Sequence, residues 1–249
     1  MRLLRFLIRF SLLLLHVSIG LLIAALLFHR SNREYHHHRG IIRRWMRLSS
    51  GIMGCRIHYS QDPDISTASP HANLFVANHI SWLDIFVLGG VFELRFLSKH
   101  EVRGWPLFGW LSAASGTLFI QRGSGSEAAV DAIRKALVSG DHVLIFAEST
   151  TSDGTGVKPF HPRLFKAAIE SERPIRPVMI RYQRRGRPFT ELAWTDDSNL
   201  LLTFWHVLSA AHTDVFVHAF APLATQAEAS RTQLAKTCHS QIRNRLENP

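Results

Sequence analysis

Cysteine is nearly absent from this chain. Among 249 residues only Cys55 and Cys238 occur, far apart and in no CxxC or Cys/His spacing; they read as two reduced thiols of an enzyme facing the cytoplasm. Also missing are an internal repeat, a low-complexity tract and any linker dividing the body of the chain. The length therefore accommodates one α/β core plus an anchoring segment, and falls short of two full domains. Neither a GxSxG elbow nor a Ser–His–Asp set in usable order is present, which disfavours a serine hydrolase. No recognised nucleic-acid-binding motif occurs either. Acidic residues are scarce: 19 Asp and Glu face 29 Lys and Arg, a formal net charge of +10. A surplus of that size implies an anionic partner, and its placement along the chain decides which one.

Charge is missing altogether from Phe10 to Phe28, where only Ser11, His16 and Ser18 interrupt an apolar run. Nineteen helical residues at about 1.5 Å each span roughly 28 Å, close to the hydrocarbon thickness of a bilayer. A cleavable signal would want small residues after the run, but Leu27-Phe28-His29-Arg30 follows. The expectation is a membrane helix, spanning or partly embedded. Arg2, Arg5 and Arg9 precede it, whereas Arg30, Arg33, Arg39, Arg43, Arg44 and Arg47 follow. Six against three places the catalytic body on the cytoplasmic face of the inner membrane. Residues Ile41–Leu48 mix apolar and cationic side chains and read as an interfacial helix on anionic phospholipid, with Trp45 at headgroup level; packing on the domain itself is the alternative. His36, His37 and His38 read as a solvated run and not as a metal site, since no further ligand is fixed nearby. Residues 1–50 thus form the anchor and interfacial segment, and 51–249 the catalytic domain.

Beyond Gly54 short apolar runs alternate with helical stretches. Strands are expected at Asn73–Ala77, Glu93–Leu97, Thr117–Gln121, His142–Ala147, Ile175–Tyr182 and Asp214–Phe220. Helices are expected at Trp82–Leu88, Phe108–Ala114, Glu127–Val138, Arg163–Ser171, Leu200–Ala210 and near Gln226–Leu246. This alternation predicts an α/β fold: a mixed, largely parallel sheet flanked by helices, with an N-terminal membrane-anchoring helix.

The informative segment is Val76-Ala77-Asn78-His79-Ile80-Ser81-Trp82-Leu83-Asp84, where a strand runs into a helix. Five residues apart on one helix, His79 and Asp84 would lie about 140° out of register. They meet only if His79 sits in the turn and Asp84 in the first helical turn. Ser81-x-x-Asp84 fits that geometry as a capping pattern, although a capping carboxylate with an incidental loop histidine satisfies the same residues. A histidine held by a carboxylate makes a general base near neutral pH, because the carboxylate fixes the tautomer and stabilises the imidazolium.

Four segments in order, Asn78-His79-x4-Asp84, Phe119-Ile120-Gln121-Arg122-Gly123, Phe146-Ala147-Glu148-Ser149-Thr150 and Ile175-Arg176-Pro177-Val178, resemble the four blocks of the lysophosphatidate acyltransferase superfamily. The resemblance covers about three-fifths of the chain, from Leu74 to Pro222. It implies that His79 takes the proton from an acceptor hydroxyl as that hydroxyl attacks a thioester, with Asp84 orienting the ring. Arg122 would bind the acceptor's phosphate or other anionic head, and Glu148, Ser149 and Thr150 would shape the acceptor site. Lys99, in the stretch between the first two blocks, is either a solvated lysine or faces the anionic substrate. The resemblance implies no cofactor and no metal, with acyl-CoA or acyl-carrier protein as co-substrate and a lysolipid, 1-acyl-glycerol-3-phosphate first, as acceptor. Oxyanion donors would come from backbone amides near the first block. The third block departs from the family's Phe-Pro-Glu-Gly-Thr: Ala147 and Ser149 replace proline and glycine, and losing the glycine limits positive φ at that turn. Residues Thr150–Phe160 resemble the bacterial lyso-ornithine lipid acyltransferases, which bears on the acceptor and not on the reaction.

Two competing classes remain. A non-enzymatic basic protein bound to membrane accounts for the charge, whereas nucleic acid is disfavoured by the clustering of arginines beside the apolar run. A metal-dependent hydrolase using His79, Asp84 and Glu148 lacks a second close histidine or carboxylate.

Overall fold

The computed structural model describes residues 1–28, 38–63, 72–121, 125–194, 199–226 and 228–248. Two helices, α1 (Arg2–Phe28) and α2 (Arg39–Ile52), precede strand β1 (Cys55–Gln61). The chain continues through β2 (Leu74–Ala77), α3 (Leu83–Val91), β3 (Arg95–Lys99), α4 (Phe108–Ala114), β4 (Leu118–Ile120), α5 (Gly125–Val138) and β5 (Val143–Phe146). It closes with α6 (Lys166–Glu170), β6 (Ile175–Arg184), β7 (Arg187–Pro188), α7 (Leu200–Ser209), β8 (Thr213–Ala219) and α8 (Arg231–Glu247). One sheet has the order β1-β8-β6-β2-β5-β3-β4, with β7 on β6. Its pairings are parallel except β6 with β8 and β6 with β7. This is the expected mixed, largely parallel sheet.

Each expected strand is found, with Glu93–Leu97 displaced to Arg95–Lys99. Strand β1 was not expected. It is an edge strand whose apolar positions reduce to Cys55, Ile57 and Tyr59, too few to mark a buried run. The central strand β2 is buried at all four positions, so both faces are covered. One apolar layer contains Phe75, Leu83, Val87, Ile180 and Tyr182; the other contains Leu74, Val76, Ile133, Phe165 and Ile242.

The N-terminal helices are built onto the first layer. Ile42 and Met46 of α2 lie in that cluster, and α2 packs along α3. Helix α1 runs antiparallel to α2: Gly20 lies under Trp45, His16 Nε2 meets Ser49 Oγ at 2.9 Å, and Gly54 lies under the Arg9 guanidinium. The indole of Trp45 stacks on the His16 ring at 4.8 Å. His38, expected in a solvated run, is buried at the start of α2; His36 and His37 lie outside the described residues. The arginine count that oriented the run also acquires a different meaning. Arg5 donates to the Ser209 carbonyl, and Arg9 donates to those of Leu208, Ala210 and Ala211, at 2.7–3.1 Å. Arg39 and Arg43 pair with Glu93 at 2.9 and 3.6 Å. Arginines from both flanks of the uncharged run therefore grip the same globular body.

Contact between α2 and α3 depends on the missing side chain of Gly90. A Cβ there would lie 2.8 and 2.9 Å from the Cα and N of Arg47, so a methyl must displace α2 itself. Gly90→Ala is expected to cost about 1–3 kcal/mol, lowering the thermal midpoint in detergent by several degrees. Gly51→Ala, whose Cβ meets nothing within 4 Å, serves as the control. An unchanged midpoint for Gly90→Ala would contradict the close packing.

Candidate active site

The turn between β2 and α3 is where the sequence concentrates its chemistry. Asn78 ends the strand, and its fully buried amide pairs twice with Ile180 of β6, accepting from the N–H and donating to the C=O, both at 2.9 Å. The chain then bends so that His79 faces the first turn of α3. His79 Nδ1 lies 2.8 Å from Asp84 Oδ2. The same oxygen accepts the N–H groups of Ile80 and Ser81 at 2.7 and 3.0 Å, while Oδ1 accepts the Tyr182 hydroxyl at 2.7 Å. Four donors thus replace the water that this fully buried carboxylate has lost. Burial and the adjacent Asp84 push the Tyr182 hydroxyl well above its ordinary range, so it remains a donor.

Only half of the expected capping box forms. Asp84 reaches back to the Ser81 N–H, but Ser81 Oγ is buried with no hydrogen-bond partner among the described residues. The helix start is organised by the aspartate and not by the serine.

With Nδ1 committed to Asp84, the imidazole keeps Nε2 as its free acceptor. The ring stacks on Phe146 with centroids 3.8 Å apart and planes 14° from parallel, and 21% of the side chain is open to solvent. This is the geometry of a general base: held, oriented and accessible on one edge.

Glu148 is buried and spans two loops, accepting the His79 N–H at 2.7 Å and the Lys158 N–H at 2.8 Å. Burial pushes its carboxyl up against the pull of those two donors. It therefore bears on the site by tying the third block to the catalytic turn. Ser149 adopts φ 59°, the left-handed conformation that loss of glycine was expected to limit. Ser149 and Thr150 are exposed beside this loop. Ser152 donates its N–H to the His79 carbonyl at 2.8 Å, and Trp194 donates to that of Ile80 at 2.8 Å. Lys99 is exposed at the end of β3, on the same sheet edge as the end of β2. Arg122 lies outside the described residues, two positions after the end of β4.

Within the first block, the amides of residues 79, 80 and 81 serve Glu148 and Asp84. Both oxygens of each carboxylate are likewise occupied by N–H or O–H donors, so Asp84 and Glu148 are not arranged as cation ligands beside His79. Sequence reading passed over Tyr182 and the pairing role of Asn78. A tyrosine within an apolar strand was the available signal, since a buried hydroxyl needs a partner.

A family model described as Acyltransferase matches residues 56–181, half of the chain. Over 171 residues the chain is 39% identical to a lyso-ornithine lipid O-acyltransferase of Pseudomonas aeruginosa, covering 68% of this chain and 66% of that protein. It is 34% identical over 144 residues to a 1-acyl-sn-glycerol-3-phosphate acyltransferase of Neisseria gonorrhoeae, covering 56% of each. In fold it matches the crystal structure of the 1-acyl-sn-glycerophosphate acyltransferase PlsC from Thermotoga maritima, with TM-score 0.71, 18% identity and coverage of 100% and 97%. The chain belongs to the acyltransferase family, as the four blocks imply.

Tyr182→Phe removes one of four donors from Asp84 without changing shape. An unmet buried acceptor costs about 1–3 kcal/mol, so kcat should fall about tenfold with KM unchanged. Steady-state kinetics on the folded variant test this; wild-type kcat would show that Asp84 needs no support from β6.

Proposed function

We propose that this enzyme is a membrane-associated O-acyltransferase that moves a fatty acyl group from acyl-CoA or acyl-carrier protein to the hydroxyl of a lysolipid. The observation that carries the reading is the His79–Asp84 pair at 2.8 Å with Nε2 left open. The acceptor hydroxyl gives its proton to Nε2 as its oxygen attacks the thioester carbonyl. Collapse of the tetrahedral adduct breaks the C–S bond, and the departing thiolate takes the proton back from the imidazolium. The hydroxyl is itself the nucleophile, so no covalent enzyme intermediate is required.

Of the two acceptors, we place lyso-ornithine lipid ahead of 1-acyl-glycerol-3-phosphate, reversing the order implied by the family resemblance alone. Two relatives bearing the former name are 39% and 36% identical over 68% and 70% of the chain, against 34% over 56% for the latter. The rim loop also carries exposed Asp153, next to the Ser152 that holds His79. Hydrogen bonds from Thr155 hold the Asp153 carboxyl below its usual range, and a carboxylate there attracts an ammonium group and repels a phosphate.

Membrane association is supported by a single apolar platform. Leu3, Leu7, Leu15 and Leu22 of α1, Phe108 and Trp110 of α4, and Leu200–Leu202 of α7 are all exposed, and α1 packs against both other helices. Because α1 lies along the body from Arg9 to Gly20, we read it as lying within one leaflet instead of crossing the bilayer. Trp82 in the catalytic turn rests against Phe204 of α7 at 5.6 Å, so a lysolipid in that leaflet would reach His79 directly.

Purified protein given labelled acyl thioester and both lysolipids should release thiol and form diacyl product, preferring lyso-ornithine lipid. His79→Ala should abolish turnover with the fold intact, and wild-type turnover in that variant would end the proposal. Separately, Leu200→Lys/Leu201→Lys should lower flotation with vesicles at least tenfold, since each exposed leucine contributes about 1.5–3 kcal/mol when buried; unchanged flotation would reject the platform.

A further inference from the structure

The sequence offered no Ser–His–Asp set in usable order, yet the fold assembles one away from the catalytic turn. Ser60 Oγ lies 2.9 Å from His218 Nδ1, and His218 Nε2 lies 3.1 Å from Asp62 Oδ1. Asp62 is fixed by a second bond, accepting the Ala221 N–H at 2.9 Å. The serine stands on edge strand β1, with no elbow to raise it. Its side of the sheet is also the opposite one from the catalytic residues: Tyr182 reaches Asp84, and its neighbour Arg181 necessarily points the other way.

Ser60 and His218 line a cavity of about 190 Å³ between the β1–β8–β6 face and the last turn of α8, together with Arg181, Phe216 and Arg245. Arg181 lies over the Phe216 ring at 5.0 Å, and its Nε is shut off from solvent with no hydrogen-bond partner among the described residues. Nearby acids are already committed. Asp62 holds His218 and Ala221, Asp214 holds His58 at 3.0 Å and His212 at 3.4 Å, and Glu247 holds Arg243. Burial and the charge of Arg245 both lower the proton affinity of Arg181; two cations share one partly dry space, and no acid lines it among the described residues.

We infer that this cavity binds a phosphate-type oxyanion, clamped by Arg181 and Arg245 with Ser60 and His218 as the polar wall. Guanidinium groups present forked donors to tetrahedral oxyanions, and an unmet buried N–H is stabilised by such an acceptor. Ser60 turns its O–H to the anion when the His218 ring carries both protons, donating one to Asp62 Oδ1 and the other to Ser60 Oγ. The volume is below the roughly 300 Å³ of sites for drug-sized molecules, so it suits a phosphate group or small phosphate ester and not a whole lipid. That group can come from a soluble ester or from a lipid head reaching the sheet edge.

Equilibrium dialysis of the full chain in detergent against radiolabelled inorganic phosphate tests this. One saturable site per chain is expected, weakened at least tenfold by Arg245→Glu, a change at an exposed residue that should leave thermal unfolding and acyl transfer unaltered. Ser60→Ala should weaken it severalfold, and Arg122→Ala, in the expected acceptor site, should not. Displacement of the label by glycerol 3-phosphate alone indicates a soluble ester; displacement by phosphatidate vesicles and not by phosphatidylcholine vesicles indicates a lipid head. No saturable binding, binding unaffected by Arg245→Glu, or binding lost with Arg122→Ala would overturn the inference.

Discussion

The catalytic half of this molecule depends on satisfying one buried carboxylate. Asp84 has no contact with solvent, and an unsolvated carboxylate is tolerated only when donors surround it. The donors come from three places: the imidazole of His79, the amides of the β2–α3 turn, and a tyrosine on β6. Supplying them forces the turn into one shape, sets the roll of α3 and fixes the register of β6 beside β2. Asn78 completes that lock by pairing with Ile180. The imidazole is thus oriented by the same bonds that hold the fold, and catalytic geometry and stability cannot vary independently here.

Glu148 repeats the device one strand away. Its two oxygens join the amide of His79 to that of Lys158, so the loop after β5 moves only if His79 moves with it. Lys158 adds a side-chain bond to Thr151, whose hydroxyl in turn binds the Trp194 carbonyl. The Glu148 loop and the His79 turn therefore share a single hydrogen-bonded frame, in which a change at Lys158 or Thr151 is transmitted toward the imidazole ring.

Much of this was legible from the chain alone, for definite reasons. Buried strands such as Leu74–Ala77 and Val143–Phe146 are apolar throughout and bounded by turn residues, so they declare themselves. Strand β1 does not, because an edge strand with one half-covered face needs few apolar residues. His79 and Asp84 were readable because they lie five residues apart across one strand-to-helix turn. Tyr182 was not, since its partner lies 98 residues away and only the β2–β6 register brings them together. Positive φ at Ser149 was misjudged because tertiary bonds around Glu148 override the local preference for glycine. The arginine count treats Arg5 and Arg9 as solvated charges, whereas both are bound to carbonyl oxygens of the body.

That last feature alters what the leading helix is. The final carbonyls of a helix lack intrahelical donors, and those closing α7 obtain theirs from guanidinium groups near the start of the chain. Cutting away residues 1–28 would accordingly not release a free-standing catalytic body. It would unplug the end of α7 and uncover Trp205 and Phe204 where Phe6 and Phe10 now rest. What looks from the sequence like a detachable leash is a structural stave of the enzyme.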